Sequence, residues 1–209
     1  PLTLIKGPME NIMDEVPESS PITKNLQLMS RNADRLMHLA NQILDFRKIE
    51  MNGFHLNFDR INISELLNDI YLRFKPIAAH HLLSYEIRCD ENIFAQADEE
   101  ALNKIFNNLI DNAVKYAQSF VEITLTLSED KEHYKITFAN DGFLIPEEDR
   151  DKIFDSFYRI KDTSGQSGTG IGLALSRTLA EMHNGSLNID PAQDNKNVFV
   201  LLLPLMPKN

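Results

Sequence analysis

The apolar residues Leu2, Ile5, Met9, Ile12 and Val16 step along the chain by alternating threes and fours. That is the seam of an amphipathic helix facing another helix. Gly7-Pro8 interrupts the run, and Pro17-Glu-Ser-Ser-Pro21 ends it. The same spacing resumes at Leu26, Met29, Ala33, Leu36, Ala40 and Ile43, with Leu28, Leu39 and Phe46 widening the stripe. A second helix is therefore expected from about Ile22 to Glu50, roughly 40 Å long. A short break between two such helices makes an antiparallel hairpin. Two helices cannot bury so wide a stripe between them, which predicts a four-helix bundle made by two chains, a homodimer. The alternative is that the stripe packs on the rest of the same chain.

Beyond Met51-Asn-Gly53 the period changes. Phe54, Leu56 and Phe58 alternate with polar residues and predict a strand. A helix capped by Asn62 or Ser64 follows, carrying Ile63, Leu66, Leu67, Ile70, Tyr71, Phe74 and Ile77. Ser84 to Cys89 reads as a short strand, and Asp98 caps a helix that runs to about Ala117. Val121–Leu127 and Tyr134–Ala139 alternate as strands around a polar turn. A further helix starts near Gly170 or Ile171 and ends by Asn184, and Ser186–Ile189 and Val198–Leu203 close the chain as strands. Hairpin-sized gaps between the later strands argue for an α+β chain: a helical hairpin followed by an α/β sandwich with helices on one face. A doubly wound parallel sheet would need a helix between successive strands. The domain boundaries expected are 1–51 for the hairpin, 52–60 for a linker and first strand, and 61–209 for the sandwich.

Composition narrows the function classes. The 209 residues carry a net charge of −10, which disfavours nucleic-acid binding, since phosphate contacts need a basic footprint. One cysteine, Cys89, excludes an internal disulfide and a Cys-rich zinc site and fits a reducing compartment. No apolar run approaches the roughly 20 residues of a membrane span, so no membrane contact is expected here. A start at Pro1 without Met suggests a fragment or a trimmed product.

Candidate chemistry concentrates on the helix after Asp98. Asn108, Asn112, Lys115 and Tyr116 recur at offsets of three and four and share one face. Leu109, Ile110, Ala113 and Val114 fill the positions that want a core. Asn is a mediocre residue for a helix interior, so two of them beside a cation suggest a site. Two glycine-containing stretches follow: Asn140-Asp-Gly142 at a strand end, and Gly168-Thr-Gly170-Ile-Gly172-Leu173 entering a helix. Helix N-terminal amides favour phosphate. The second stretch is not a Walker loop, because no Gly-Lys-Ser/Thr follows. Together the three elements could surround one nucleotide, with carboxamide oxygens for Mg2+ and Lys115 for phosphate. The residues from Phe143 to Ser167 form a connection long enough to serve as a lid.

In this order the residues resemble the sensor histidine kinases of two-component systems. Asn108-x-x-x-Asn112-Ala-x-Lys115-Tyr116 is similar to the family's N box, Asn140-Asp-Gly142 to its G1 box and Phe154-Asp-Ser-Phe157-Tyr-Arg159 to its F box. Gly168-x-Gly170-x-Gly172-Leu173 resembles its G2 box, with the His183-x-Gly185 tail behind it. The resemblance implies a Bergerat-type ATP-binding domain of the GHKL class, preceded by a dimerising hairpin. It implies ATP and Mg2+ as cofactors, with Asn108 as metal ligand, Asn112 at the phosphates, Lys115 on phosphate and Tyr116 lining the pocket. Arg159 would reach the γ-phosphate or the hairpin. Gly168, Gly170 and Gly172 would shape the lid hinge. It implies a response-regulator receiver domain as partner, and a cytoplasmic core whose parent sits in the bacterial inner membrane. Ile43-Leu-Asp-Phe-Arg-Lys-Ile-Glu50 is similar to the end of the second hairpin helix in hybrid sensors of Bacteroides-like gut bacteria.

Two departures from the family pattern stand out. The usual first residue of the G1 box is an Asp that accepts from the adenine amino group; here it is Asn140, and the usual second glycine is Leu144. An Asn oxygen still accepts, without the charge that strengthens such a bond, so adenine recognition is expected with altered affinity. Asp141, one residue on, should point to the other face. Secondly, Pro1-Leu2-Thr3 matches the tail of the family's H box, which places the phosphoacceptor histidine before Pro1. None of His38, His55, His80, His81, His133 and His183 has that context. The chain is therefore expected to bind ATP without phosphorylating itself. Two alternatives compete. One is a dimerisation module whose nucleotide site has decayed. The other is an ATPase of the gyrase, chaperone or mismatch-repair type, which would need a glutamate base where Asn108 stands.

Overall fold

The structure is a computed structural model and describes residues 7–9, 11–13, 16–17, 20–50, 55–160, 168–190 and 195–206. The chain divides into two compact units, Pro1–Gly53 and Phe54–Asn209.

In the first unit, residues 7–9 and 11–13 are helical, so Gly7 and Pro8 carry helical backbone; residues 1–6 lie outside the described set. Helix α1 spans Pro21–Glu50. The Ser20 hydroxyl accepts from the Ile22 N–H at 3.3 Å, and the Thr23 hydroxyl donates to Pro17 O at 2.9 Å, which fixes the entry into the helix. Met9, Leu26 and Ala33 form a buried cluster, with Met13 and Val16 packed against it. The expected seam thus splits in two. Leu26 and Ala33 turn inward, while Ile22, Met29, Leu36 and Ile43, seven residues apart, are exposed.

The second unit is a layer of helices on a layer of strands. Strand β1 is Asp59–Asn62, α2 is Ile63–His80, β2 is Ser84–Cys89, β3 is Phe94–Ala97 and α3 is Glu99–Tyr116. Strands β4 (Phe120–Leu127) and β5 (His133–Asn140) follow, then two short 3-10 turns at Glu147–Asp149 and Lys152–Phe154. Helix α4 (Gly172–Met182), β6 (Ser186–Asp190) and β7 (Asn197–Pro204) complete the unit. Five strands pair in the order β2-β4-β5-β7-β6, parallel only between β2 and β4. Register aligns Ile123 with Phe138 and Phe138 with Phe199, and likewise Leu125, Ile136 and Leu201. These side chains are all buried and form rows across one face of the sheet. Against β2, β5 and β6 pack α2, α3 and α4 in turn.

Local chemistry sets the helix starts. Asn62 Oδ1 accepts from Glu65 N–H at 3.4 Å, and Asp98 Oδ1 accepts from Ala101 N–H at 2.8 Å, the two caps expected from the sequence. The first strand corrects the sequence reading. It lies at Asp59–Asn62, while residues 55–58 are not strand and Phe54 lies outside the described residues. The reason is competition from long-range partners. Asn57 N–H is taken by the Asp98 carboxylate at 2.7 Å, and the Phe58 ring sits edge-on to His183 with centroids 5.4 Å apart. The partner of β1 is β3, antiparallel, with Arg60 opposite Gln96. Strand β3 was not expected: Phe-Ala-Gln-Ala has little strand propensity.

Candidate functional site

The site is built on α3. The helix buries Ala101, Leu102, Ile105, Phe106, Leu109, Ile110, Ala113 and Val114. That leaves Asn108, Asn112, Lys115 and Tyr116 half-buried on the adjoining face. Asn108 Nδ2 donates to Gly172 O and to Ser176 Oγ, each at 3.3 Å. Its carboxamide is thereby locked onto the first turn of α4. A Cβ added at Gly172 would lie 3.4 Å from Asn108 Oδ1.

The start of α4 is shaped for an anion. Ile171 precedes the helix and no side chain caps it, so its first amides remain available. Thr169 Oγ1 accepts from Ile171 N–H at 3.2 Å, which shapes the approach. Lys115 Nζ lies over the Tyr116 ring at 4.6 Å and close to Gly168, where an added Cβ would sit 2.9 Å from it. A cation therefore stands beside the uncapped helix end. Gly170 has φ +73°, and its carbonyl accepts from Phe157 N–H at 2.9 Å. A side chain there would meet the Phe157 backbone at 2.7 Å. Leu173 is half-buried in the first turn of α4, and Arg159 is exposed.

The end of β5 closes the other side. A Cβ on Gly142 would lie 1.9 Å from Tyr116 O, so only glycine lets this strand end meet the C-terminus of α3. Asn140 is buried and its Nδ2 has no hydrogen-bond partner among the described residues. Asp141 turns the other way, as strand alternation predicts. Its carboxylate accepts from Gln118, Ser119 and Phe120 N–H at 3.0–3.1 Å and from the Ser119 hydroxyl. Burial alone would raise its pKa. The Ser119 hydroxyl and the three backbone amides outweigh burial and hold it at about 2.

The structure therefore brings together Asn108, Lys115, Tyr116, Gly142, Gly168 and Gly172, with Asn112 one turn of α3 beyond Asn108. Two contributors escaped the sequence reading. Ser176 is fully buried and holds Asn108; its signal was a hydroxyl four residues after Gly172, among the apolar positions Ala174, Leu175, Leu179 and Ala180. Asn197 clasps the segment after Gly142, donating to Phe143 O at 2.9 Å and accepting from Ile145 N–H at 3.0 Å. His183 accepts at Nε2 from Asp98 N–H at 3.1 Å, and its Nδ1 lies 2.8 Å from Leu179 O. Those partners require the neutral ring with its proton on Nδ1, and desolvation lowers its pKa. The segment expected to act as a lid is in part folded down: Ile153 and Phe154 are buried, and Arg177 lies over the Phe154 ring at 4.1 Å. Residues 161–167 lie outside the described set.

The residues present fit a nucleotide with its metal. An uncapped helix end with a cation suits phosphate, and the buried Asn140 amide has a donor to spare. Asn108 spends its nitrogen on α4, which leaves its oxygen as the carboxamide's ligating atom. Among the described residues no group of three or more His, Cys, Asp or Glu could hold a metal. Mg2+ would therefore rely on that oxygen, phosphate oxygens and water.

The model of the histidine kinase-, DNA gyrase B- and HSP90-like ATPases matches residues 97–207. The chain belongs to this family. A histidine kinase of Formosa agariphila is 30% identical over 98% of the chain, which covers 15% of that protein. The sensor histidine kinase TmoS of Ectopseudomonas mendocina is 31% identical over 98% of the chain, which covers 22% of that protein. The chain thus spans well under half the length of these curated relatives. Among solved structures, full-length ShkA in complex with AMPPNP superposes with a TM-score of 0.78 at 19% identity, covering 99% of this chain and 45% of that one. Histidine kinase ThkA in complex with the response regulator TrrA superposes with a TM-score of 0.71 at 21% identity, covering 99% and 58%. At those identities the likeness is one of fold. Among the family's ATPases, these relatives are histidine kinases. No helix among the described residues is long and apolar enough to cross a membrane.

Proposed function

We propose that the chain is the kinase core of a two-component sensor. It would bind ATP with Mg2+ between α3, the end of β5 and the start of α4, and pass the γ-phosphoryl to a histidine upstream of Pro1 for relay to a receiver-domain aspartate. The observation that carries this reading is Asn108. A glutamate there could take a proton from water, whereas a carboxamide cannot. The site therefore suits transfer to an imidazole, which needs no base to attack.

Each residue has a part that follows from its chemistry. Ser176 and Gly172 O hold the Asn108 nitrogen, which would leave its oxygen to ligate Mg2+. Lys115 offers a point charge to phosphate. The uncapped amides at the start of α4 would meet the phosphate oxygens, Tyr116 lines the pocket wall, Asn112 stands at the phosphates and Asn140 meets the base. Arg159 would reach the γ-phosphoryl or the hairpin. Bound Mg2+ would neutralise charge on the transferring phosphoryl group. The protein's work is then positioning and electrostatic stabilisation.

The first unit supplies the dimer in this reading. Residues 1–51 form half of a four-helix bundle, 52–60 the linker and 61–209 the catalytic domain. In this reading the parent is membrane-anchored and the core acts on the cytoplasmic side. Calorimetric titration of the chain with a non-hydrolysable ATP analogue and Mg2+ tests the site. Saturable heat is expected; no heat and no thermal shift at about 5 mM nucleotide, weaker than the ~1 mM end of specific binding, would favour the decayed-module reading.

A further inference from the structure

The last residue of β5 presents a buried group that the fold leaves unsatisfied. Asn140 is 2% exposed, yet its Nδ2 has no hydrogen-bond partner among the described residues. Native folds rarely leave a buried amide donor unpaired unless a ligand or water completes it. Its neighbours are already committed. Asn197, opposite it on β7, spends both ends of its carboxamide on Phe143 and Ile145. The Asp141 carboxylate is taken by the amides of residues 118–120 and the Ser119 hydroxyl. The amide lies where β5 meets the end of α3: a Cβ added to Gly142 would sit 2.8 Å from Asn140 Nδ2 and 1.9 Å from the carbonyl of Tyr116, the last residue of the α3 site face.

A carboxylate in this place would only accept hydrogen bonds. A carboxamide carries an acceptor and a donor side by side, and a half-turn about its terminal bond exchanges them. Adenine offers an amino donor next to the N1 acceptor. Guanine and hypoxanthine offer the O6 acceptor next to the N1–H donor. Asn140 can meet either edge, and no free carboxylate stands beside it to repel O6. Resting on the nucleotide site described above, we propose that Asn140 makes the base subsite accept 6-oxopurine nucleoside triphosphates as well as adenine nucleotides.

The test is a calorimetric titration of the 209-residue chain with AMPPNP, GMPPNP and inorganic tripolyphosphate, each with Mg2+. GMPPNP should bind within about tenfold of AMPPNP, and both more tightly than tripolyphosphate, since a two-point base contact is worth roughly ten- to a hundredfold. Asn140→Asp should widen the AMPPNP preference to about a hundredfold by the same measure. AMPPNP binding with GMPPNP more than about a hundredfold weaker in the unaltered chain would overturn this inference and leave the nucleotide site standing. Equal binding of tripolyphosphate and both nucleotides would also overturn it, because the base would not be read. If neither nucleotide bound, this inference and the proposed function would fall together. The unaltered chain decides the matter even if Asn140→Asp does not fold.

Discussion

Asn108 spends its amide nitrogen on two acceptors of α4, and the consequences are measurable one residue at a time. Asn108→Ala removes both contacts and the oxygen proposed for Mg2+. It should weaken Mg2+–AMPPNP binding roughly 10- to 100-fold, the worth of a charge-assisted contact, with unchanged circular dichroism. Gly142→Ala tests the close approach of β5 to α3. With a Cβ 1.9 Å from Tyr116 O, it should destabilise the catalytic unit by about 3 kcal/mol in urea unfolding, as overpacking does. The need for glycine at 142 was visible as a motif in the sequence, but its cause was not, because Tyr116 lies 26 positions earlier in the chain. The same holds for Ser176 and Asn197. Each acts through a partner more than fifty residues away, and no local pattern announces such a bond.

Elements were more legible than the bonds between them. Asp98 and Asn62 cap their helices as their positions suggest, since capping is a matter of three or four neighbouring residues. Phe54, Leu56 and Phe58 misled for the opposite reason: their alternation imitates a strand, yet Asn57 and Phe58 are drawn to Asp98 and His183. That junction of the linker, the α3 cap and the end of α4 has a pH dependence. The folded protein holds His183 neutral with a lowered pKa, so the unfolded chain binds a proton more readily. Stability should therefore fall as pH drops below about 6.5, and His183→Gln should flatten that slope in urea titrations between pH 5 and 8. Asp141 works at lower pH. Its carboxyl titrates near 2 in the fold against 3.8 unperturbed. The stability it contributes is present above about 3.8 and is lost as pH falls toward 2, a loss that Asp141→Asn should remove from acid unfolding curves.

At the scale of the whole molecule, the heptad stripe on α1 is the feature that the proposed dimer rests on. Ile22, Met29, Leu36 and Ile43 are exposed at 43–57%, a seam suited to a second copy. Met29→Glu together with Leu36→Glu should convert a dimer to a monomer in sedimentation velocity without loss of nucleotide binding. The central claim concerns the fate of the γ-phosphoryl group. It is tested most directly by incubating γ-labelled ATP and Mg2+ with the protein extended upstream of Pro1. The account predicts acid-labile, alkali-stable label on a histidine, abolished by Asn108→Ala. Label released as free phosphate, with none on the protein, would contradict it.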